Sequence, residues 1–373
     1  MSQTPLFLLS LLLLQVTTVS LPALAIIRLA RSRPELRYLV SLCALICLLF
    51  SPVLTCLAGR AGGFKVMLPA AVAPPPAPRS VVIPAATAPG YSATLGQTAP
   101  FPKMQQAAPL TWLFFVWGAG SLFHFVRLGR GWRDAAGLAG GACPLMEASP
   151  PIGGWSGILE QVQTVLSAPT LPRIVLSNTV PTPIVVGLLR PQIVLPAGLV
   201  KRLSRAQMRD VLIHECAHVL QRHPVGGLVQ RLVALLFWPH PLVHVLIREL
   251  ARAREEVCDN FVLRFGSAAD YARTLLTVAE AAAFPMRCPA ALGLLPTRWR
   301  LEDRVAGLLD PKRSQATHLS RGMAALVGSG LLGTGMAVAA VRLVPAQTAV
   351  PLPVPPVIQK AAIQAAAEAA ASA

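Results

Sequence analysis

Apolar residues are gathered into four long stretches, separated by segments rich in arginine, proline or polar residues. The stretches run from about Pro5 to Ile27, Tyr38 to Ala58, Pro109 to Val126 and Gly322 to Val341. Each is close to the roughly 20 residues that a helix needs to cross a bilayer. The last is rich in glycine, which suits close packing of helices in lipid. The pattern therefore predicts four transmembrane helices.

The first stretch has an alternative interpretation as a cleaved signal peptide, because Ala23-Leu24-Ala25 resembles a cleavage site. No basic residue precedes it, however, and four arginines follow it, at Arg28, Arg31, Arg33 and Arg37. We therefore expect a retained span, with the arginine-rich loop in the cytoplasm. A second cluster after the third span, at Arg127, Arg130 and Arg133, predicts the same orientation.

These signals divide the chain into six parts. Residues 1–59 hold two spans, 60–108 form an external loop, 109–127 form the third span, 128–317 form a cytoplasmic domain, 318–343 form the fourth span, and 344–373 form a short external tail. The loop and the tail are crowded with proline and alanine. We expect the loop to be extended and poorly ordered.

The cytoplasmic block has a mixed pattern of strands and helices. Short β-branched runs bounded by Pro, Gly or Asn predict strands at Arg173–Leu176, Pro183–Val186 and Gln192–Leu195. A short helix is expected at Ile158–Leu166, and helical periodicity dominates from Ser204, a good N-cap residue. The prolines of Trp238-Pro239-His240-Pro241 separate two helices.

The composition agrees with a membrane protein. Hydrophobic residues make up 54% of the 373-residue chain and charged residues only 13%, about half the usual share. The net charge of +17 suits basic loops at a membrane. A basic arm interleaved with aromatic residues is absent from the sequence, so we expect no direct nucleic-acid binding. The seven cysteines have no CxxC spacing, which indicates neither a disulfide framework nor a zinc finger.

The segment His214-Glu215-Cys216-Ala217-His218 is an HExxH motif. On a helix its two histidines share one face, so both imidazoles can bind one Zn²⁺ ion. Glu215 then lies beside the metal, where it can take a proton from an activated water. The alternative is a charged, solvated helix face, but the flanking residues Val211–Ile213 and Val219–Leu220 are apolar. The motif therefore predicts a zinc site.

A catalytic zinc needs a third protein ligand and one open position. Glu255 is the best candidate, with Asp259 one helical turn later to orient a ligand histidine. The alternative for Glu255 is an ion pair with Arg252 or Arg254. Glu256 should point about 100° away from Glu255 on the same helix.

Other histidines and cysteines are weaker candidates. We expect His223, His240 and His244 to be ordinary packing or surface histidines. His124 lies in a predicted span, but a single histidine there does not indicate a function. Cys216 and Cys258 are expected to pack as small buried apolar residues, with a thiolate ligand at either as the alternative.

Several segments in order resemble the bacterial antirepressor membrane zinc metallopeptidases, typified by beta-lactam sensor-transducers of the BlaR/MecR type. The resemblance covers roughly residues 110–310. It is carried by Thr182–Gly187, Arg190–Pro196, His214–His218, Phe237–Pro241 and Arg254–Asp259. It implies an α-helical protein of the inner membrane, with four transmembrane helices and a mainly helical α+β zincin-type domain in the cytoplasm between spans three and four.

Residue by residue, the resemblance implies zinc ligands at His214, His218 and Glu255, a general base at Glu215 and a supporting acid at Asp259. It also implies a protein substrate, a winged-helix transcriptional repressor. Two departures stand out. About 30 residues follow the fourth span and no Ser-x-x-Lys motif exists in the sequence, so no covalent beta-lactam ligand is expected. Pro224 stands near where many relatives carry an Asp, which puts one supporting interaction in doubt.

The leading hypothesis is a membrane-integral zinc endopeptidase acting in regulatory proteolysis of a cytoplasmic protein. Two alternatives stay open at this point. One is a signalling scaffold whose zinc domain binds a regulator and cleaves little. The other is a housekeeping protease with broad peptide specificity.

Overall fold

The computed structural model describes residues 5–61, 65–68, 108–140, 143–145, 154–282, 301–340 and 342–345. Described residues are mostly helical. The helices are α1 (Pro5–Leu29), α2 (Pro34–Ala61), α3 (Ala108–Gly140), α4 (Ser156–Leu166), α5 (Ala197–Val200), α6 (Arg205–Leu220), α7 (His223–Leu236), α8 (Pro241–Leu263), α9 (Ala268–Ala282), α10 (Leu301–Leu309) and α11 (Arg321–Ala340). The strands are β1 (Lys65–Leu68), β2 (Cys143–Pro144), β3 (Arg173–Ser177), β4 (Ile184–Val186), β5 (Gln192–Pro196) and β6 (Arg342–Pro345).

The chain forms two compact units, Met1–Ala61 with Gln105–Ala340, and Gly62–Met104 with Val341–Ala373. In the smaller unit, β1 pairs in parallel with β6, and Lys65 lies opposite Arg342. These four-residue strands were not predicted: β1 lies in the predicted external loop, and β6 covers the last residues of the predicted fourth span and the start of the predicted tail. Residues 62–64 and 69–107 of the predicted loop and 346–373 of the predicted tail lie outside the described residues.

One hydrophobic cluster of the larger unit joins α1, α2 and α11 to α7 and α8. Its fully buried members include Val16 and Leu45, together with Val233 and Leu246. The apolar residues of α7 therefore pack against α2 and also against α3, α6 and α8. Of the predicted spans, the described residues contain one helix that is long and apolar enough to cross a membrane, Pro34–Leu57, and a shorter apolar helix, Leu13–Leu29.

Arg37 connects the start of α2 to α8 by a buried charge cluster. Its guanidinium donates to Glu256 at 2.8 Å and to Glu249 at 3.2 Å, and only 5% of the arginine side chain is exposed. A buried charge needs such partners, because leaving it unpaired away from water is costly. Part of the predicted basic cluster is thus built into the protein core.

The second hydrophobic cluster lies around a four-stranded sheet with the order β2-β3-β5-β4. β3 pairs in parallel with β5, whereas β4 runs antiparallel to β5. The three predicted strands are confirmed within one residue at each end, and the two-residue β2 was not predicted. β4 lies at an edge of this sheet, on the side of the candidate site described below.

Local signals explain where α6 and α8 begin. The Ser204 hydroxyl accepts from the Gln207 backbone N–H, and the Gln207 side chain accepts from the Ser204 N–H, which completes a capping box. α8 begins with Pro241, whose missing N–H costs nothing at the first helical position. Both boundaries match the sequence prediction.

The C-terminal end of α7 is held to α3 by two indole groups. Trp117 Nε1 donates to the Leu236 carbonyl at 2.9 Å, and Trp238 Nε1 donates to the Trp117 carbonyl at 3.2 Å. Gly120 permits this close approach, because a Cβ at that position would overlap the Trp238 ring. α7 is thereby fixed at one end, and its other end reaches the candidate site.

Candidate metal centre

Helices α6 and α8 pack against each other and bring three side chains to one point. The Nε2 atoms of His214 and His218 are 3.2 Å apart. Glu255 Oε2 lies 3.4 Å from the first nitrogen and 3.7 Å from the second. The spacing of the histidines follows from one helical turn, whereas the glutamate arrives from a different helix.

These separations fit a tetrahedral metal ion. With metal–ligand bonds of about 2.0–2.1 Å, two ligand atoms on one tetrahedral zinc lie about 3.3 Å apart. The three donor atoms lie near that spacing, and two imidazoles with one carboxylate are a ligand set of catalytic zinc sites. The described residues thus include a donor set that can hold a metal ion.

Glu255 also forms the ion pair that was the alternative interpretation. Arg254 Nε donates to Glu255 Oε1 at 3.3 Å, while the other oxygen, Oε2, faces the two histidines. Arg252 instead pairs with Glu256, which also binds Arg37. As expected from the helical angle, Glu256 points away from the histidines.

Asp259 lies fully buried behind His214. Its Oδ1 is 3.2 Å from His214 Nδ1, the ring nitrogen that faces away from the donor cluster. Tyr271 donates to the same oxygen at 2.8 Å, and Arg304 donates to both carboxylate oxygens. Asp259 thus lies within hydrogen-bonding distance of His214, and Tyr271 and Arg304 hold Asp259 in turn.

The electrostatics follow from this arrangement. Burial raises the pKa of Asp259, but Arg304 and the hydrogen bond from His214 outweigh it and hold that pKa well below its usual range. Burial likewise raises the pKa of Glu255, but the neighbouring His218 and His214 bring it well below the usual value. Burial and Arg304 lower the pKa of His214, yet the bonds to Asp259 and Glu255 raise it overall, to about 9. Both acids are thus kept ionised at neutral pH.

His223 at the start of α7 contacts the second histidine of the motif. Its Nδ1 lies 2.8 Å from His218 Nδ1 and 3.5 Å from the Cys258 sulfur. The ring is 3% exposed, and burial, together with the charges of His218 and Arg254, lowers its pKa to about 2. The interpretation of His223 as an ordinary packing histidine is incomplete, because it is buried but also touches His218.

The other candidates make ordinary contacts. His244 bonds the Trp238 carbonyl at 2.7 Å, and His240 Nε2 lies 3.5 Å from the Thr17 hydroxyl. His124 packs its ring against Phe123 and Trp238. Cys216 is fully buried, and burial raises the pKa of its thiol. The contacts of His240, His244 and Cys216 agree with the sequence prediction, whereas the sequence made no prediction for His124.

Glu215 is half-buried in the wall of a cleft of about 1040 Å³. The donor cluster lies in this cleft together with the whole of β4, the turn before it and Gly187 after it. Trp132 and Asp134, near the end of α3, line it as well. The cleft thus contains the donor cluster, the Glu215 carboxylate and a sheet edge.

Sequence reasoning missed Tyr271 and Arg304. They come from α9 and α10, and neither has a spacing from the HExxH motif that indicates a role. A weak signal existed for Arg304: a buried acid such as Asp259 needs a cation, and the arginine has to come from elsewhere in the chain.

Comparison with known proteins gives a family match over most of the chain. The family described as BlaR1 peptidase M56 matches residues 14–308. The methicillin resistance mecR1 protein of Staphylococcus aureus is 27% identical over 88 residues, which are 24% of this chain and 15% of that protein. Regulatory protein BlaR1 of Bacillus licheniformis is 31% identical over 94 residues, which are 25% of this chain and 16% of that protein. The matched segments thus span about a sixth of the length of these relatives.

Proposed function

Because the chain belongs to the BlaR1 peptidase M56 family, we propose that it is a membrane-integral zinc endopeptidase acting in regulatory proteolysis of a cytoplasmic protein. The observation that carries the proposal is the donor cluster of His214, His218 and Glu255, whose spacing suits one tetrahedral zinc. The family match alone supports a metallopeptidase. The geometry supports the choice of His214, His218 and Glu255 as the metal ligands.

In this proposal the three donors hold zinc and Glu215 is the general base. A zinc ion held there supplies Lewis acidity, lowering the pKa of water and polarising the scissile carbonyl. Glu215 takes the proton of the attacking water and delivers it to the leaving amine. Asp259 accepts from His214 Nδ1–H, so that the Nε2 lone pair faces the zinc position.

The cleft supports a polypeptide substrate in an extended conformation. β4 is an edge strand of the sheet, and its residues line the cleft beside Glu215. An edge strand presents unpaired backbone groups to which an extended peptide can add as a further strand. We propose that the substrate pairs with β4 and thereby presents its carbonyl to the metal.

We propose four membrane spans, formed by α1, α2, α3 and α11. α3 exposes large apolar side chains, with Trp112 70%, Phe115 66% and Phe125 63% exposed, and α11 exposes Leu326 at 68%. Contiguous apolar surface of this kind favours contact with lipid. With the arginine clusters inside, residues 128–317 form a cytoplasmic domain of an inner-membrane protein, and 60–108 and 344–373 lie outside.

The substrate class is proposed from the resemblance to the BlaR/MecR-type sensor-transducers, and the relatives' names agree with a regulatory role. One is called a regulatory protein and the other a methicillin resistance protein. We propose a transcriptional repressor of the winged-helix type as the cleaved partner. The proposal includes no covalent beta-lactam ligand, because the sequence has no Ser-x-x-Lys motif.

Proteolysis by the purified chain tests the function. We expect detergent-solubilised protein to contain about one zinc per chain and to cleave members of an extended-peptide library identified by mass spectrometry. A zinc chelator should abolish cleavage, and added Zn²⁺ should restore it. Zinc without any cleavage would favour the signalling scaffold, and cleavage with broad specificity would favour the housekeeping protease.

Zinc affinity is expected to rise with pH. In the metal-free protein the pKa of His214 is raised to about 9, so its proton must leave before zinc can bind. The affinity should therefore grow by about tenfold per pH unit from pH 7 and level off above pH 9, with about one proton released per zinc. Competition with a fluorescent chelator measures the zinc affinity at each pH. Calorimetry in buffers of different ionisation enthalpy measures the number of protons released per zinc. A flat affinity from pH 7 to 9 would contradict this assignment.

A further inference from the structure

We propose that His223 is a positioning residue for the metal centre, which orients His218 by accepting a hydrogen bond from its Nδ1–H. The inference rests on the proposed zinc site and deepens it. The distance between the two Nδ1 atoms is 2.8 Å, within the range of a hydrogen bond. His223 is outside the HExxH motif, and it comes from a different helix.

The proton positions follow from the geometry. His218 Nε2 faces His214 and Glu255, so it needs its lone pair for the metal and its proton lies on Nδ1. That Nδ1–H points at His223 Nδ1, which must then be the acceptor. The proton of a neutral His223 ring is accordingly on Nε2. Asp259 behind His214 and His223 behind His218 thus give each ligand histidine its own acceptor.

A second metal site is the competing explanation, because His218, His223 and Cys258 also form a cluster of donors. One distance disfavours it: the 2.8 Å between the two nitrogens is shorter than the edge of about 3.3 Å that a tetrahedral zinc needs.

The backbone and the neighbours of His223 hold its ring in this place. Arg222 adopts a left-handed conformation with φ of 52°, rare outside glycine, and so turns the chain from α6 into α7. The ring packs against Tyr38 with centroids 5.1 Å apart. Its Nε2 is buried without a hydrogen-bond partner among the described residues. Among the described residues, the polar contacts of the ring are therefore made by Nδ1.

Zinc affinity of two nearly isosteric variants tests the proposal, in full-length protein in detergent. His223→Leu removes the acceptor, whereas His223→Asn keeps an oxygen that can replace Nδ1. We expect His223→Leu to weaken zinc binding by about 10- to 100-fold, and His223→Asn to retain most of the affinity. His240→Leu, which removes a histidine elsewhere, should leave the affinity unchanged. Absorption spectra of the Co²⁺-loaded proteins report the ligand geometry directly and should change only in His223→Leu.

Several outcomes would overturn the proposal. Equal affinity in wild type and His223→Leu would show that the contact does not matter, and equal loss in both variants would show a merely structural role. Two zinc ions per chain, with one lost in both His223→Leu and Cys258→Ser, would establish the second metal site. If His223→Leu does not fold, His223→Met and His223→Gln form a second pair that differs in the acceptor. Absence of zinc from the wild type would refute the proposed zinc peptidase itself. This outcome differs from those that refute only the role of His223.

Discussion

Replacing Glu215 with glutamine is expected to abolish peptide cleavage while zinc content stays at the wild-type level. Glutamine keeps the size of the side chain but cannot take a proton from water. A general base of this kind contributes about 10²- to 10⁴-fold to the rate. Glu215 is half-buried in the cleft beside the donor cluster but is not one of the three donors, so the metal should remain. Cleavage of a library-derived peptide and zinc content by mass spectrometry measure the two effects.

The matched control is Glu160→Gln, the same chemical change on the exposed face of α4. It should leave both cleavage and zinc content unchanged. If wild type and Glu215→Gln cleave equally, Glu215 is not the base. If neither cleaves although both hold zinc, the domain acts as a binding module and the scaffold hypothesis replaces the enzyme.

Replacing Glu255 with alanine is expected to remove zinc and, with it, all cleavage. The variant deletes one of three protein donors, so the loss of affinity should exceed the roughly 100-fold upper range for residues that only support a ligand. Glu255 Oε2 lies within 3.7 Å of both histidine nitrogens, and no other carboxylate belongs to that donor cluster among the described residues. Competition against chelators of graded affinity measures the change.

Arg254→Gln separates a ligand from an ion-pair partner. It breaks the pair between Arg254 and Glu255 but leaves the carboxylate facing the histidines. We expect this variant to bind zinc with nearly the wild-type affinity. If Arg254→Gln loses as much zinc as Glu255→Ala, the ion pair, rather than direct ligation, explains the effect of Glu255.

Local rules were sufficient for one part of the candidate site. His214 and His218 share a helix face because four residues are close to one turn, and the Ser204 capping box marks where that helix begins. The three predicted strands followed from β-branched runs between Pro and Gly residues. β2 escaped prediction because two residues carry no periodicity and the strand exists only through pairing with β3.

The predicted spans also combine features set by neighbouring residues with features set by distant contacts. Apolar length predicted helices close to α1, α2 and α11, since a run of apolar residues is a local property. It also predicted where α3 begins, but α3 continues past the predicted end at Val126 to Gly140. The burial of Arg37 between Glu249 and Glu256 was not predictable, because the acids that accept it lie more than 200 positions away in the chain. An arginine that looked like a topology signal is also a packing element.

By itself, the sequence determined the elements whose signals lie within a few neighbouring residues. These are the apolar helices, the capped α6 with its two histidines, and the three short strands of the sheet. The sequence also proposed Glu255 and Asp259 for the candidate site, but only the tertiary structure decided which distant residues they meet. Glu255 reaches the histidines through the packing of α8 on α6, and Tyr271 and Arg304 reach Asp259 from two further helices. His223 meets His218 because the chain turns sharply at Arg222. Such contacts depend on burial and on charges that must find partners away from water, and these conditions exist only once the helices are packed together.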